Sequence, residues 1–178
     1  MKKLAKLTAL LLTGVMLLLL ASCGAAPNPL TPEQQAKQWL LEEINSYRAS
    51  LDPSRAPLVE VKQLSAAEQV WVEQFRTARK TVLTESETQE TYWKWEDMTK
   101  DWTYYGSLGW GKGIGEDDWT DYLDAKVPAN TPAGKAELWA ALKDHSVFNS
   151  SNCTSIGIAV VTIDGQMYWA CTLYAPKT

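Results

Sequence analysis

Near the C-terminus, two β-rich runs, Ser155–Ile163 (SIGIAVVTI) and Gln166–Tyr174 (QMYWACTLY), are separated by Asp164-Gly165. Asp-Gly readily supplies the two left-handed positions that a tight hairpin turn needs, so this is the strongest short-range fold signal in the chain. It constrains more than the turn. A two-residue loop pairs Ile163 with Gln166, and counting outward sets Cys171 opposite Ile158, which decides the side chains that share a face.

Upstream the apolar period changes from two to 3.6. Thr31-Pro32-Glu33-Gln34 has the form of a capping box with Pro at the first helical position, and Ala36, Trp39, Leu40, Ile44, Tyr47 and Leu51 follow at three- and four-residue steps. This predicts a helix over Pro32–Leu51, stopped by Asp52-Pro53. Ser65-Ala66-Ala67-Glu68 has the same box form and opens a run with Leu64, Ala67, Trp71, Phe75, Ala78 and Val82 on one face, predicting a second helix to about Leu83. From Thr84 to Ala129 the pattern dissolves, and short helices and irregular segments are expected. Thr131-Pro132 starts a third helix that carries Leu138, Trp139 and Leu142 and ends near His145. Helices first and an antiparallel hairpin last predict an α+β fold, and the 178 residues hold one ordinary domain with a tail.

The tail carries an address. Met1–Lys6 is basic and Leu7–Leu20 is a nearly unbroken apolar run of 14 residues, suited to an export signal and short for a membrane span of about 20 residues. It ends in Leu20-Ala21-Ser22-Cys23-Gly24, which resembles the bacterial lipobox. The expectation is a signal peptide over residues 1–22, a lipidated Cys23 with a Pro- and Ala-rich tether over 23–31, and a domain over 32–178. Acyl chains on Cys23 would bury methylenes at about 0.8 kcal/mol each and hold the protein on a membrane, facing away from the cytoplasm. Cys153 and Cys171 then remain as an even pair, a disulfide candidate in an exported protein, with two buried or free thiols as the alternative. Because Cys153 lies outside the hairpin pairing, a bridge requires the Asn149–Thr154 loop to fold back over the sheet.

Charge and histidine content remove several function classes. Three lysines lie within the first 22 residues, so the rest has 14 basic against 21 acidic residues, a net of −7, which leaves no nucleic-acid footprint. His145 is the single histidine, which excludes any site that needs two, and neither a metal nor a cofactor is expected.

Several stretches together resemble the CAP superfamily (cysteine-rich secretory proteins, antigen 5 and plant pathogenesis-related proteins) in its short bacterial form. These are Ile44-Asn45-Ser46-Tyr47-Arg48-Ala49, Ala56-Pro57-Leu58 with Leu64-Ser65-Ala66-Ala67, Trp139 through His145, Ile156-Gly157-Ile158-Ala159-Val160, and Tyr168-Trp169. The resemblance implies a three-layer α-β-α sandwich of CAP type ending in the antiparallel hairpin, with a groove that in many members holds two His and two acids. His145 sits where the second groove His is expected, Trp71 where the first would be, and Leu142 at one acid position; Gly115-Glu116-Asp117 looks like the family's Gly-Glu-Asn segment and makes Glu116 a candidate groove acid. One imidazole and one carboxylate give a cation too few donors.

Five Trp and four Tyr fall within Tyr92–Tyr122. They have two readings. Trp93, Trp95, Trp102, Trp110 and Trp119 fill a core where regular structure is sparse, or some of them, with Tyr104 and Tyr105, line a groove for a glycan or an apolar chain. The first functional expectation is therefore a membrane-anchored binding module for an apolar, peptide or glycan ligand of the envelope, with Trp71 and Trp139 lining its groove. An envelope hydrolase using His145 and Glu116 is the alternative, and a structural or adhesive surface protein is a third.

Overall fold

The structure, a computed structural model, describes residues 29–114 and 119–177, so Cys23 with its leader and Glu116 fall outside the described residues. The chain divides into Met1–Leu30 and a compact unit, Thr31–Thr178. Thr31 caps α1 (Pro32–Leu51) as its sequence predicts: its hydroxyl accepts from the Gln34 N–H at 3.2 Å, and the Gln34 side chain accepts from the Thr31 N–H at 2.9 Å. Leu40, Ile44 and Tyr47 form its buried stripe.

After β1 (Val59–Glu60) comes α2 (Lys62–Ala78), where the expected capping box fails. The N-cap is Val61, without a side-chain cap, and Ser65 and Glu68 lie inside the helix. The reason is the neighbouring strand. Strand β1 is only two residues long and lies parallel to β6 (Ser155–Ile163), so the Ile158 N–H has no backbone partner on that side and donates to the Ser65 hydroxyl at 3.1 Å instead. The end of α2 is also earlier than predicted. Arg79 adopts a left-handed conformation (φ 55°) and closes the helix, and Val82–Thr84 becomes β2.

The region without legible periodicity is well organised. It forms α3 (Glu85–Thr99), capped reciprocally by Thr84 and Glu87, and then β3 (Trp102–Leu108), β4 (Trp110–Ile114) and β5 (Trp119–Leu123). α4 (Pro132–Asp144) starts at the predicted Thr131 cap and ends at His145, followed by a 3₁₀ turn, Ser146–Asn149. β6 and β7 (Gln166–Pro176) complete the chain. One sheet has the order β1-β6-β7-β3 and the other β2-β5-β4, so the class is α+β as predicted, with a second sheet that was not.

The hairpin has the predicted register, Ile163 opposite Gln166 and Ile158 opposite Cys171. Asp164 (φ 48°) and Gly165 (φ 84°) both take the left-handed conformations that a primed turn demands. Alternation along β6 then divides two cores. Ile156, Ile158 and Val160 face α1 and α4, while Ala159, Val161 and Ile163 face α2 and α3. Gly157 is needed because α2 lies directly on β6: a Cβ there would meet the Leu64 carbonyl oxygen at 2.7 Å.

The expected disulfide is corrected. Cys153 and Cys171 are both free and buried. Cys171 occupies the middle of the sheet, between Ile158 and Leu108, while Cys153 stays ahead of β6 with its thiol toward the Val147 carbonyl at 3.9 Å. Burial raises both thiol pKa values, so neither has thiolate character at neutral pH.

Candidate functional site

The largest concentration of unusual chemistry lies on the α2–α3 side of the main sheet. Glu68 lies within the apolar stripe of α2, beside Leu64, Ala67 and Trp71, and is fully buried. Three neighbours donate hydrogen bonds to it: Trp95 Nε1 to Oε1 at 3.0 Å, Tyr174 OH to Oε1 at 3.2 Å, and Trp110 Nε1 to Oε2 at 3.2 Å. None of these partners is a cation. Burial penalises the charged form and pushes the Glu68 pKa up to about 7, although the hydrogen bonds pull the other way. The Tyr174 hydroxyl, buried beside this carboxyl, is raised as well.

The three donors have a second role. Trp95, Trp110 and Tyr174, with Tyr92, Trp102 and Tyr104, line a cleft of about 450 Å³ formed by α3, β3, β4 and the end of β7. This volume lies in the range of small-molecule sites. Tyr92 and Trp95, three residues apart on α3, stack with centroids 6.0 Å apart, and Trp95 meets Trp110 edge-on at 5.7 Å. Trp71 lies among them, fully buried, with its ring 5.1 Å from Trp110. At the rim are Lys100, Lys112 and Lys177, with Glu96 as the one acid among the lining residues. The Lys112 ammonium stands 5.2 Å from the centre of the Tyr92 ring, within cation–π range.

Strand β3 reaches this cleft through a bulge. Tyr104 pairs with Tyr174, but Gly106 pairs with Leu173, so one extra residue, Tyr105, is inserted. The insertion reverses the facing of the rest of the strand: Trp102 and Tyr104 serve the cleft side, and Leu108 turns to the opposite core beside Cys171.

The other residues expected in a groove are not brought together. His145 is the exposed C-cap of α4 and is not among the residues lining the cleft. Trp139 packs on the α1–α4 side, where its Nε1 donates to Glu43 at 3.3 Å and the Lys135 ammonium lies 4.8 Å from its ring centre. Trp71 belongs to the core beneath the cleft rather than to its lining. Of the aromatic cluster, Trp95 is core and cleft floor together, Trp102, Trp110 and Tyr104 line the cleft, and Trp93 and Trp119 remain exposed outside it, as does Tyr105. Glu68 was the residue missed. Its signal was a carboxylate within an apolar helical stripe, which the capping-box pattern had explained in another way.

A pair of helices on each side of a mixed sheet, with an aromatic cleft founded on a buried carboxyl, defines an α+β domain with a candidate ligand seat. No family model matches the chain, and no curated protein matches it. Among solved structures, the crystal structure of hookworm platelet inhibitor is similar over 88% of this chain and 76% of that chain, with 13% identity and a TM-score of 0.36. A likeness of that size carries no argument about fold or function.

Proposed function

We propose that this protein is a lipid-anchored, extracytoplasmic binding module of CAP type whose ligand seat is the aromatic cleft. The carrying observation is that three of the cleft's aromatic side chains are fastened by their polar atoms to the fully buried Glu68. Tethering removes rotamer freedom in advance, so a ligand meets a preorganised surface and loses less entropy on binding. The lipobox-like Leu20–Gly24 supports the anchor, and the order of the Asn45–Arg48, Trp139–His145, Gly157 and Tyr168-Trp169 segments supports the family reading. Asn45 and Arg48 have work consistent with it: Asn45 exchanges two hydrogen bonds with the Leu58 backbone, and Arg48 gathers the carbonyls of Phe148, Ser150 and Cys153.

The test uses the full chain in detergent, incubated with lipid, peptide and glycan fractions of bacterial envelope and weighed by native mass spectrometry beside Trp102→Ala. The expected result is an added mass that the variant loses. A mass retained by the folded variant places the ligand elsewhere and overturns the cleft reading.

A further inference from the structure

The eleven residues lining the cleft include no Leu, Ile, Val, Met or Phe: six are Trp or Tyr, three are Lys, and Glu96 and Thr99 complete them. That composition separates the possible ligand classes. An acyl chain or an apolar peptide side chain is matched by aliphatic walls, as in the cavity of about 380 Å³ whose lining includes Ala36, Val127, Pro128 and Met167 beside Trp39. Flat rings instead match the C–H face of a sugar ring, giving large contact area at low conformational cost. The polar edges of the floor are already used, because the N–H groups of Trp95 and Trp110 and the Tyr174 hydroxyl all point inward to Glu68. The Thr99 hydroxyl is likewise turned to the Trp95 and Glu96 carbonyls. Trp95, Trp110 and Tyr174 therefore offer no free polar edge, the cleft rings still open to solvent are those of Tyr92, Trp102, Tyr104 and Trp110, and much of the outward polar chemistry is lysine.

Ammonium groups donate and never accept, so they select a ligand rich in acceptors, and above all an anion. Three lysines and one acid, Glu96, line the cleft, on a chain whose formal net charge is −4, and the acids that pair with Lys100 and Lys112 stand outside that lining. Lys100 pairs with Asp97 at 2.9 Å and Lys112 with Glu85 at 3.2 Å, and Lys177 donates to the Lys100 carbonyl. Both ion pairs are solvent-exposed and worth little, so a ligand anion can replace the carboxylate partner.

We propose that the cleft takes an acidic carbohydrate, with a sugar ring laid against the Trp102, Tyr104 and Trp110 side and its carboxylate or sulfate on the Lys100–Lys112–Lys177 rim. This rests on the cleft being the ligand seat. The test titrates the full chain in detergent with the tetrasaccharides of polygalacturonate and of hyaluronan and with their methyl esters, which keep the rings and remove the charge, following tryptophan fluorescence. At least one acid is expected to bind about tenfold more tightly than its ester at low salt. That preference should shrink as salt screens the rim and vanish in Lys100→Gln/Lys177→Gln, whose positions are exposed and whose fold circular dichroism will check. Trp102→Ala should weaken acid and ester alike. Equal affinity for acid and ester overturns the acidic class and leaves the cleft reading standing. Fluorescence that responds to none of the four overturns the carbohydrate assignment, while an envelope mass lost in Trp102→Ala would still support the cleft; if that mass is also absent, both fail.

Discussion

The main sheet separates two buried charges that are held by opposite kinds of partner. On the α1–α4 side, Arg48 is 1% exposed, and its guanidinium donates to three main-chain carbonyls, Phe148 and Ser150 at 3.0 Å and Cys153 at 3.2 Å. On the α2–α3 side, Glu68 is 0% exposed and accepts from three side chains of distant elements. Neither is neutralised by these partners, so in both cases hydrogen bonds stand in for a counter-ion. The consequences differ. Arg48 fastens a loop, the one between α4 and β6, and being a guanidinium it keeps its charge across the accessible pH range even though burial lowers its pKa. Glu68 holds aromatic rings in place and titrates near neutrality. One side of the sheet is therefore built as a permanent clasp, and the other as a ligand surface with an ionisable foundation.

Arg48→Ala should have the largest effect. It leaves three carbonyls without their charged donor and opens a cavity, and should cost about 3–5 kcal/mol in urea unfolding. Ligand affinity of the molecules that remain folded should be unchanged, because the cleft lies across the sheet. An equal loss of affinity would show that the two sides are coupled after all.

The second expectation concerns pH. The folded pKa of Glu68 is raised to about 7 from 4.5, so the folded protein binds this proton more tightly than the unfolded chain does. Its contribution is fully present below about pH 4.5, falls by about 1.4 kcal/mol per pH unit through the window, and is lost above about pH 7, a total of about 3 kcal/mol. The lowered carboxylates work the other way and in a lower range. Glu60, where burial is outweighed by hydrogen bonds from Lys37 and Ser65, loses its contribution as pH falls below 4.5. Urea midpoints measured at pH 5 and pH 7.5 should therefore favour pH 5, and Glu68→Gln should flatten the difference. A wild-type protein with equal midpoints would remove Glu68 as the titrating foundation.

Tyr174→Phe is the smallest of the three. It deletes one donor to Glu68 while keeping the ring, for about 1 kcal/mol at pH 7.5 and less at pH 5, where a neutral carboxyl has less need of the donor. A loss independent of pH would mean that the hydroxyl serves packing rather than the carboxylate.

Local signals were legible where the partners lie close in sequence. Thr31 and Gln34, Thr131 and Gly134, and Asp164-Gly165 act within three residues, so α1, the start of α4 and the hairpin with its register could be drawn from residues alone. Thr84-Glu85-Ser86-Glu87 carried the same signature and opens α3, but the helix behind it buries Thr88, Trp95 and Thr99, a stripe too polar to show as apolar periodicity. The Ser65–Glu68 pattern misled for the opposite reason. Its two residues have the right types for a cap and serve the sheet and the cleft instead, through Ile158, Trp95, Trp110 and Tyr174, which lie between 27 and 106 positions away.

By itself the sequence determined the α+β class, the first helix, the DG turn with its Ile158–Cys171 register, and an aromatic surplus that had to serve as core or as contact surface. Each arises from backbone geometry and short-range hydrogen bonding, which neighbouring residues settle among themselves. Only the tertiary structure decided that Cys153 and Cys171 stay apart, that His145 and Trp139 do not share a site with Trp71, and that a carboxylate on the apolar face of α2 supports three rings of a cleft. Those outcomes depend on which distant side chains meet once the faces of a sheet are covered, and a buried charge is tolerated only where folding has already assembled its donors.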